Sequence, residues 1–149
     1  MNFLANQLWH TDSSFKRIPA KYSLLSARVV PASGGETEFA DLRAACDALP
    51  EAMKMRMESL VAEHCLFYSR AIIGFADFTE QERAIAPAMP QVLVRYLPGS
   101  RRKSLYLASH ASRIVGMPIP EGRLLLRDLT ECVLAWVMCE KCVTCDVWV

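Results

Sequence analysis

Two residues with chemistry in their spacing stand near the start of the chain: His10 and Asp12, separated by Thr11. Side chains on an extended strand alternate faces, so the imidazole and the carboxylate would point one way and Thr11 the other. One imidazole and one carboxylate on a common face form two thirds of the 2-His-1-carboxylate set. That set holds non-haem Fe(II) and leaves positions open for chemistry. Taken alone, His-x-Asp is a weak signal, because so short a pattern recurs by chance. The other two histidines are His64, beside Cys65, and His110, in Ala108-Ser109-His110-Ala111-Ser112. Each reads as a structural histidine with its ring satisfied inside the fold.

Cysteine and arginine clusters offer two rival chemistries. Cys132, Cys139, Cys142 and Cys145 crowd the end of the chain, and the last three imitate a zinc or iron–sulfur run. Cys46 and Cys65 stand singly and read as small buried hydrophobes. Arg101-Arg102-Lys103 resembles a phosphate-binding patch, but three charges next to Pro98-Gly99-Ser100 fit a solvated turn.

Composition narrows the class. A chain of 149 residues makes one domain with a real core. It is 52% hydrophobic and 22% charged, with a net charge of +1 and interspersed signs. That balance offers no electrostatic case for nucleic acid or an anionic membrane. Met1-Asn2-Phe3-Leu4-Ala5 has neither the basic nor the apolar region of a signal peptide, and the apolar run at 133–139 is too short to span a bilayer. The expectation is a cytoplasmic protein without a disulfide framework.

The elements that must position these residues are short. Residues 3–15 read as an entry segment and a strand carrying the His-x-Asp pair. Residues 22–30 read as a second strand, stopped by Pro31, and 36–40 as a third after the Gly34-Gly35 turn. Asp41 can cap a helix with Leu42, Ala45, Cys46 and Leu49 on one face. Pro50 suits the first turn of the next helix, where Met53, Met57, Leu60 and Val61 mark a core-facing stripe. Residues 63–69 read as extended and 74–78 as a loop, and Thr79 with Glu82 forms a capping box. Pro87 and Pro90 break the chain. Strands at 92–97 and 104–108 flank the Pro98-Gly99-Ser100 turn, and Pro120 opens a last helix containing Leu124, Leu125, Asp128 and Leu129. Patterning alone supports a mixed α/β fold.

Longer stretches carry a resemblance. Trp9-His10-Thr11-Asp12-Ser13-Ser14-Phe15, with Gly34-Gly35-Glu36-Thr37 downstream, resembles the taurine/2,4-dichlorophenoxyacetate dioxygenase family. Ala20-Lys21-Tyr22-Ser23-Leu24-Leu25-Ser26-Ala27 and Arg102-Lys103-Ser104-Leu105-Tyr106-Leu107 resemble its phenoxyacetate-degrading branch. The resemblance implies a mainly β, mixed α/β fold: a partial double-stranded β-helix, or jelly roll, with helical inserts. It implies Fe(II) and 2-oxoglutarate as cofactors. Its reaction hydroxylates a phenoxyalkanoate such as 2,4-dichlorophenoxyacetate with O2, releasing a phenol, glyoxylate, succinate and CO2. His10 and Asp12 are then the metal ligands and catalytic residues. Thr37 bonds the far carboxylate of 2-oxoglutarate, and Asn6, Ser13 and Ser14 line the substrate side. The implied partners are a small aryloxyalkanoate and O2, without nucleic acid or membrane; a homo-oligomer is compatible. The family's distal histidine and arginine have no counterpart here, and Leu97 replaces a family histidine in Arg95-Tyr96-Leu97-Pro98. The alternatives are a catalytically incompetent fragment or a small metal or redox protein working through the tail cysteines.

The resemblance is expected to cover residues 3–131 as a partial catalytic domain and to stop abruptly at Glu131. Residues 132–149, rich in Cys, Val and Trp, read as a divergent tail translated out of frame, and a Met1 start so near the pair suggests that an N-terminal part of the domain is absent. Sequencing the coding DNA across codon 132 tests the tail. A single-base correction should restore the family pattern, whereas an in-frame read with no such correction refutes the idea.

Overall fold

The structure, a computed structural model, describes residues 6–139. Phe3 to Ala5 of the expected entry segment, and Cys142 and Cys145 of the tail, lie outside the described residues. Five helices and five strands are found among the described residues. They are α1 (Leu42–Ala48), α2 (Glu51–Glu58), β1 (Val61–His64), α3 (Leu66–Ile72), α4 (Glu80–Ile85), β2 (Met89–Val92), β3 (Val94–Leu97), β4 (Arg102–Leu105), β5 (Ala111–Ile114) and α5 (Ile119–Cys139). β1 is the centre of an antiparallel sheet ordered β2-β1-β5, and β3-β4 is a separate hairpin. Pro90 sits inside edge strand β2, where its missing N–H costs least. Backbone bonds from Leu93 N–H to Leu60 O and from Tyr106 N–H to Leu93 O tie the two β units together.

Local chemistry explains the helices. The Asp41 carboxylate accepts from the N–H groups of Arg43 (2.8 Å) and Ala44 (3.2 Å), satisfying donors that the first turn leaves free. Thr79 and Glu82 form the expected reciprocal capping box. Met57, Leu93, Leu105, Ile114 and Leu129 centre the core. Residues far apart in the chain meet there because each offers an apolar face that water disfavours.

Several expectations change. No strand carries His10 and Asp12: residues 6–15 form turns and irregular backbone. Residues 22–30 and 36–40 form no strand and have irregular backbone without a ladder partner among the described residues. Leu24 is 94% exposed and Val29 85%. Branched side chains favour extended backbone, but a strand exists only where a neighbour completes its ladder. Residues 66–69 are helical rather than extended, and Val61 belongs to β1 instead of the preceding helix. Helix therefore outweighs strand among the described residues, against the mainly β expectation, although the mixed α/β class stands. α5 also runs unbroken across Glu131 to Cys139. No described helix is long and apolar enough to cross a membrane.

α5 lies close on β5 because Gly122 has no side chain. A Cβ there would sit 3.0 Å from the backbone N and 3.3 Å from the Cβ of Ile114. Gly122→Ala should therefore destabilise the fold by about 1–2 kcal/mol, as overpacking does. This cost should exceed the roughly 1 kcal/mol that alanine contributes to a free helix. Urea unfolding measures the difference.

Candidate metal centre

The loop at 9–16 has no ladder of its own and borrows its shape from distant elements. The Ser109 N–H donates to Trp9 O (2.8 Å), and the Thr11 hydroxyl donates to Leu107 O (2.8 Å). Thr11 is thereby fastened to the chain between β4 and β5, and it lines the same cavity as His10. Ser13 follows Asp12 with φ at +60°, an uncommon conformation for a residue with a side chain. It reverses the chain, so the carboxylate of Asp12 returns toward His10.

His10 Nε2 and Asp12 Oδ1 are 3.3 Å apart and partly exposed. His10 Nδ1 is 2.7 Å from Leu8 O. A carbonyl only accepts, so Nδ1 donates to Leu8 O, and Nε2, facing the Asp12 carboxylate, is the ring atom left for a metal. Metal-ligating histidines are set in this way, with the second ring nitrogen anchored to a carbonyl. The Ser23 hydroxyl donates to Asp12 Oδ2, leaving Oδ1 directed at the imidazole. Two ligand atoms about 2.1 Å from a first-row metal ion lie roughly this far apart, so the pair fits the expected ion. Among the described residues, no third His, Cys, Asp or Glu completes a metal-binding group.

The other expected site residues are dispersed. Thr37 is exposed on the unpaired 36–40 stretch, with no hydrogen bond to the pair. Asn6 is exposed, Ser13 is part-buried in the turn, and Ser14 is fully buried with no partner for its hydroxyl among the described residues. Arg102 pairs with Asp47 at 2.6 Å and Lys103 with Glu58, which fits a surface turn better than a phosphate patch. Cys46 is buried, Cys65 is part-buried and Cys132 is an exposed free thiol.

Sequence reasoning missed the buried polar layer beneath the loop. His110 is buried, bonds Ser69 Oγ through Nδ1 at 2.8 Å, meets Phe15 edge-on, and lies 6.3 Å from the His10 ring centroid. His64 stacks on Tyr106 at 5.5 Å. Contrary to expectation, neither of its ring nitrogens nor the Tyr106 hydroxyl finds a hydrogen-bond partner among the described residues. The Arg95 guanidinium covers the other contact of Tyr106, 3.3 Å from the ring centroid. Beside His10 opens a cavity of about 820 Å³, lined largely by apolar groups including Trp9, Phe39, Leu97, Leu105 and Val133. A volume of this order suits a small organic ligand.

The family model described as "Taurine catabolism dioxygenase TauD, TfdA family" matches residues 2–137. The chain is 51% identical over 127 residues to the alpha-ketoglutarate-dependent 2,4-dichlorophenoxyacetate dioxygenase of Cupriavidus pinatubonensis, covering 85% of this chain and 44% of that protein. It is 39% identical over 132 residues to the (S)-phenoxypropionate/alpha-ketoglutarate-dioxygenase of Sphingobium herbicidovorans, covering 85% and 46%. The crystal structure of AAD-2 in complex with Mn(II) and N-oxalylglycine aligns with a TM-score of 0.84 and 58% identity, over 87% of this chain and 52% of that one. The chain thus spans about half the length, or less, of the proteins it matches.

The buried imidazoles make stability depend on pH. Burial lowers His64 to about 4, with smaller contributions from the nearby positive groups of His110 and Arg95. Burial likewise lowers His110 to about 4. An unfolded imidazole takes up its proton near 6.5, whereas these folded ones resist until about 4. The unfolded state binds more protons in that window. The contribution is therefore present above pH 6.5 and is lost as pH falls toward 4. Each ring should contribute up to about 3 kcal/mol to this loss. Denaturant unfolding at pH 4.5 and 7.5 measures it, and His64→Phe should remove about half of the slope while retaining the Tyr106 stack.

Proposed function

The chain belongs to the taurine catabolism dioxygenase TauD, TfdA family, and on that premise we propose that it carries part of the active site of an Fe(II)- and 2-oxoglutarate-dependent dioxygenase acting on phenoxyalkanoates. The observation that carries this reading is His10 Nε2 at 3.3 Å from Asp12 Oδ1, with Nδ1 anchored on Leu8 O. Identity of 51% to a 2,4-dichlorophenoxyacetate dioxygenase supports the substrate class. N-oxalylglycine, bound in the AAD-2 structure, is an analogue of 2-oxoglutarate, and Mn(II) is a stand-in for Fe(II). The family's jelly roll is the architecture within which we place these elements.

His10 and Asp12 would hold Fe(II). When bound there with 2-oxoglutarate, the metal would supply O2 activation, the chemistry that in this reading gives succinate and CO2 and hydroxylation of the carbon beside the substrate's ether oxygen. The resulting hemiacetal separates into a phenol and glyoxylate. The chain's own contribution is orientation. Leu8 O anchors the imidazole through Nδ1, Ser23 turns the carboxylate, and the apolar cavity beside His10 excludes water around an aryl ring. Thr37 would donate a hydroxyl to the cosubstrate's far carboxylate. The protein would act in the cytoplasm on a small molecule and O2.

A second reading has a specific observation behind it: no third ligand joins the pair among the described residues. On that reading the chain is an incompetent fragment, because a site lacking ligands and an arginine fork loses its strongest charge-assisted contacts. Anaerobic addition of Fe(II) and 2-oxoglutarate to the chain separates the two. A visible charge-transfer band that disappears in His10→Ala supports the dioxygenase site, and no metal uptake supports the incompetent fragment. Metal retained by His10→Ala but lost on Cys142→Ser would move the metal to the tail. Turnover of 2,4-dichlorophenoxyacetate by this chain should be slight or nil.

A further inference from the structure

We infer that Gln91 is a positioning residue for the His10–Asp12 pair, clamping the turn that follows Asp12 through its carboxamide. This inference rests on the reading of that pair as metal ligands. Gln91 is buried on β2, 8% exposed, and its side chain reaches a loop more than seventy residues away in sequence. Its Nε2 donates to Ser14 O at 2.9 Å and to Lys16 O at 3.1 Å. Its Oε1 accepts from Arg95 Nη2 at 2.6 Å. The orientation of the amide follows from the partners. Two carbonyls can only accept and a guanidinium can only donate, so the NH2 group must face the loop. Arg95 is itself braced on the Tyr106 ring, so the amide is held from both ends.

The position of the clamp gives it its role. Ser13 holds φ at +60° between Asp12 and the two clamped residues. A residue with a side chain stays in that region only when its surroundings impose it. The turn's own backbone bonds are a long one from Ser14 N–H to Thr11 O (3.3 Å) and one from Lys16 N–H to Ser13 O (2.8 Å). Upstream, Trp9 and Thr11 are fastened to residues 107–109. Downstream, Gln91 is the hydrogen-bonded fastening to the sheet among the described residues, beside the edge-on contact of Phe15 with His110. Release it, and Ser13 can relax to negative φ, which turns the Asp12 carboxylate away from His10.

Gln91→Glu tests this, because it keeps the acceptor for Arg95 and removes both donors. Amide hydrogen exchange and Mn(II) affinity by electron paramagnetic resonance are measured on the whole chain and the variant. Exchange at Ser14 and Lys16 should accelerate about tenfold or more while the β1 amides stay protected. The Mn(II) Kd should rise about tenfold, the low end of the loss when a ligand's support is removed. Unchanged exchange at Ser14 and Lys16, or an unchanged Mn(II) Kd, overturns the clamp. Accelerated exchange throughout β1 also overturns it, since the role would then be general stability. If Gln91→Glu does not fold, Arg95→Leu frees the carboxamide from its other end and should shift the same two readouts in the same direction, and no shift there refutes the proposal. Failure of the unsubstituted chain to bind Mn(II) sinks the metal reading instead, and the exchange data identify which of the two has failed.

Discussion

A loop with no regular structure carries both candidate ligands, so its backbone must be bonded from outside. Trp9 and Thr11 are tied to the connection between β4 and β5, while Ser14 and Lys16 are tied to β2. Between those anchors the chain reverses at Ser13 and returns a carboxylate to an imidazole two residues back. Each anchor depends on a sheet whose strands are only four residues long, and those strands depend in turn on the core around Met57, Leu93 and Ile114. Core packing and ligand geometry are therefore coupled in this molecule.

Beneath the loop, polar side chains occupy space that a simpler domain would fill with leucine. His64, Tyr106, Arg95, Gln91 and Ser14 are in or against the protein interior, and several of their polar atoms lack protein partners among the described residues. Burying such groups is costly, and a domain selected only for stability would replace them. Their position below the His10–Asp12 loop links the expense to the site rather than to the fold. Burial also keeps His64 and His110 neutral near pH 7, and His110 lies beside the His10 ring.

The apolar cavity and the irregular stretch at 22–40 belong to the same picture. Phe39 and Ala40 leave that stretch to line the cavity, and Ser23 leaves it to hold Asp12. The rest of the stretch exposes Leu24, Val29 and Val30. A segment with strand-forming side chains and no ladder is held at a few points instead of along its length. Its contacts with the site are therefore individual side chains.

The sequence made several things legible. The spacing in His10-Thr11-Asp12 suggested a shared face, Asp41 and Thr79 marked helix starts, and longer motifs indicated a family that the comparisons support. These are local signals, because capping and short spacings are decided within a few residues of chain. The sequence misled wherever the outcome required a partner. Residues 22–30 have strand composition but no strand beside them, and residues 66–69 coil into α3. It was silent about Gln91, because a glutamine in an apolar stretch gives no hint of two carbonyls on a remote loop. What the chain determined by itself was which groups could bind a metal. Only the tertiary structure decided that Nε2 of His10 faces Oδ1 of Asp12: the bond to Leu8 O is local, but the loop that brings the two side chains together is held by Leu107, Ser109 and Gln91, and Ser23 bonds the carboxylate.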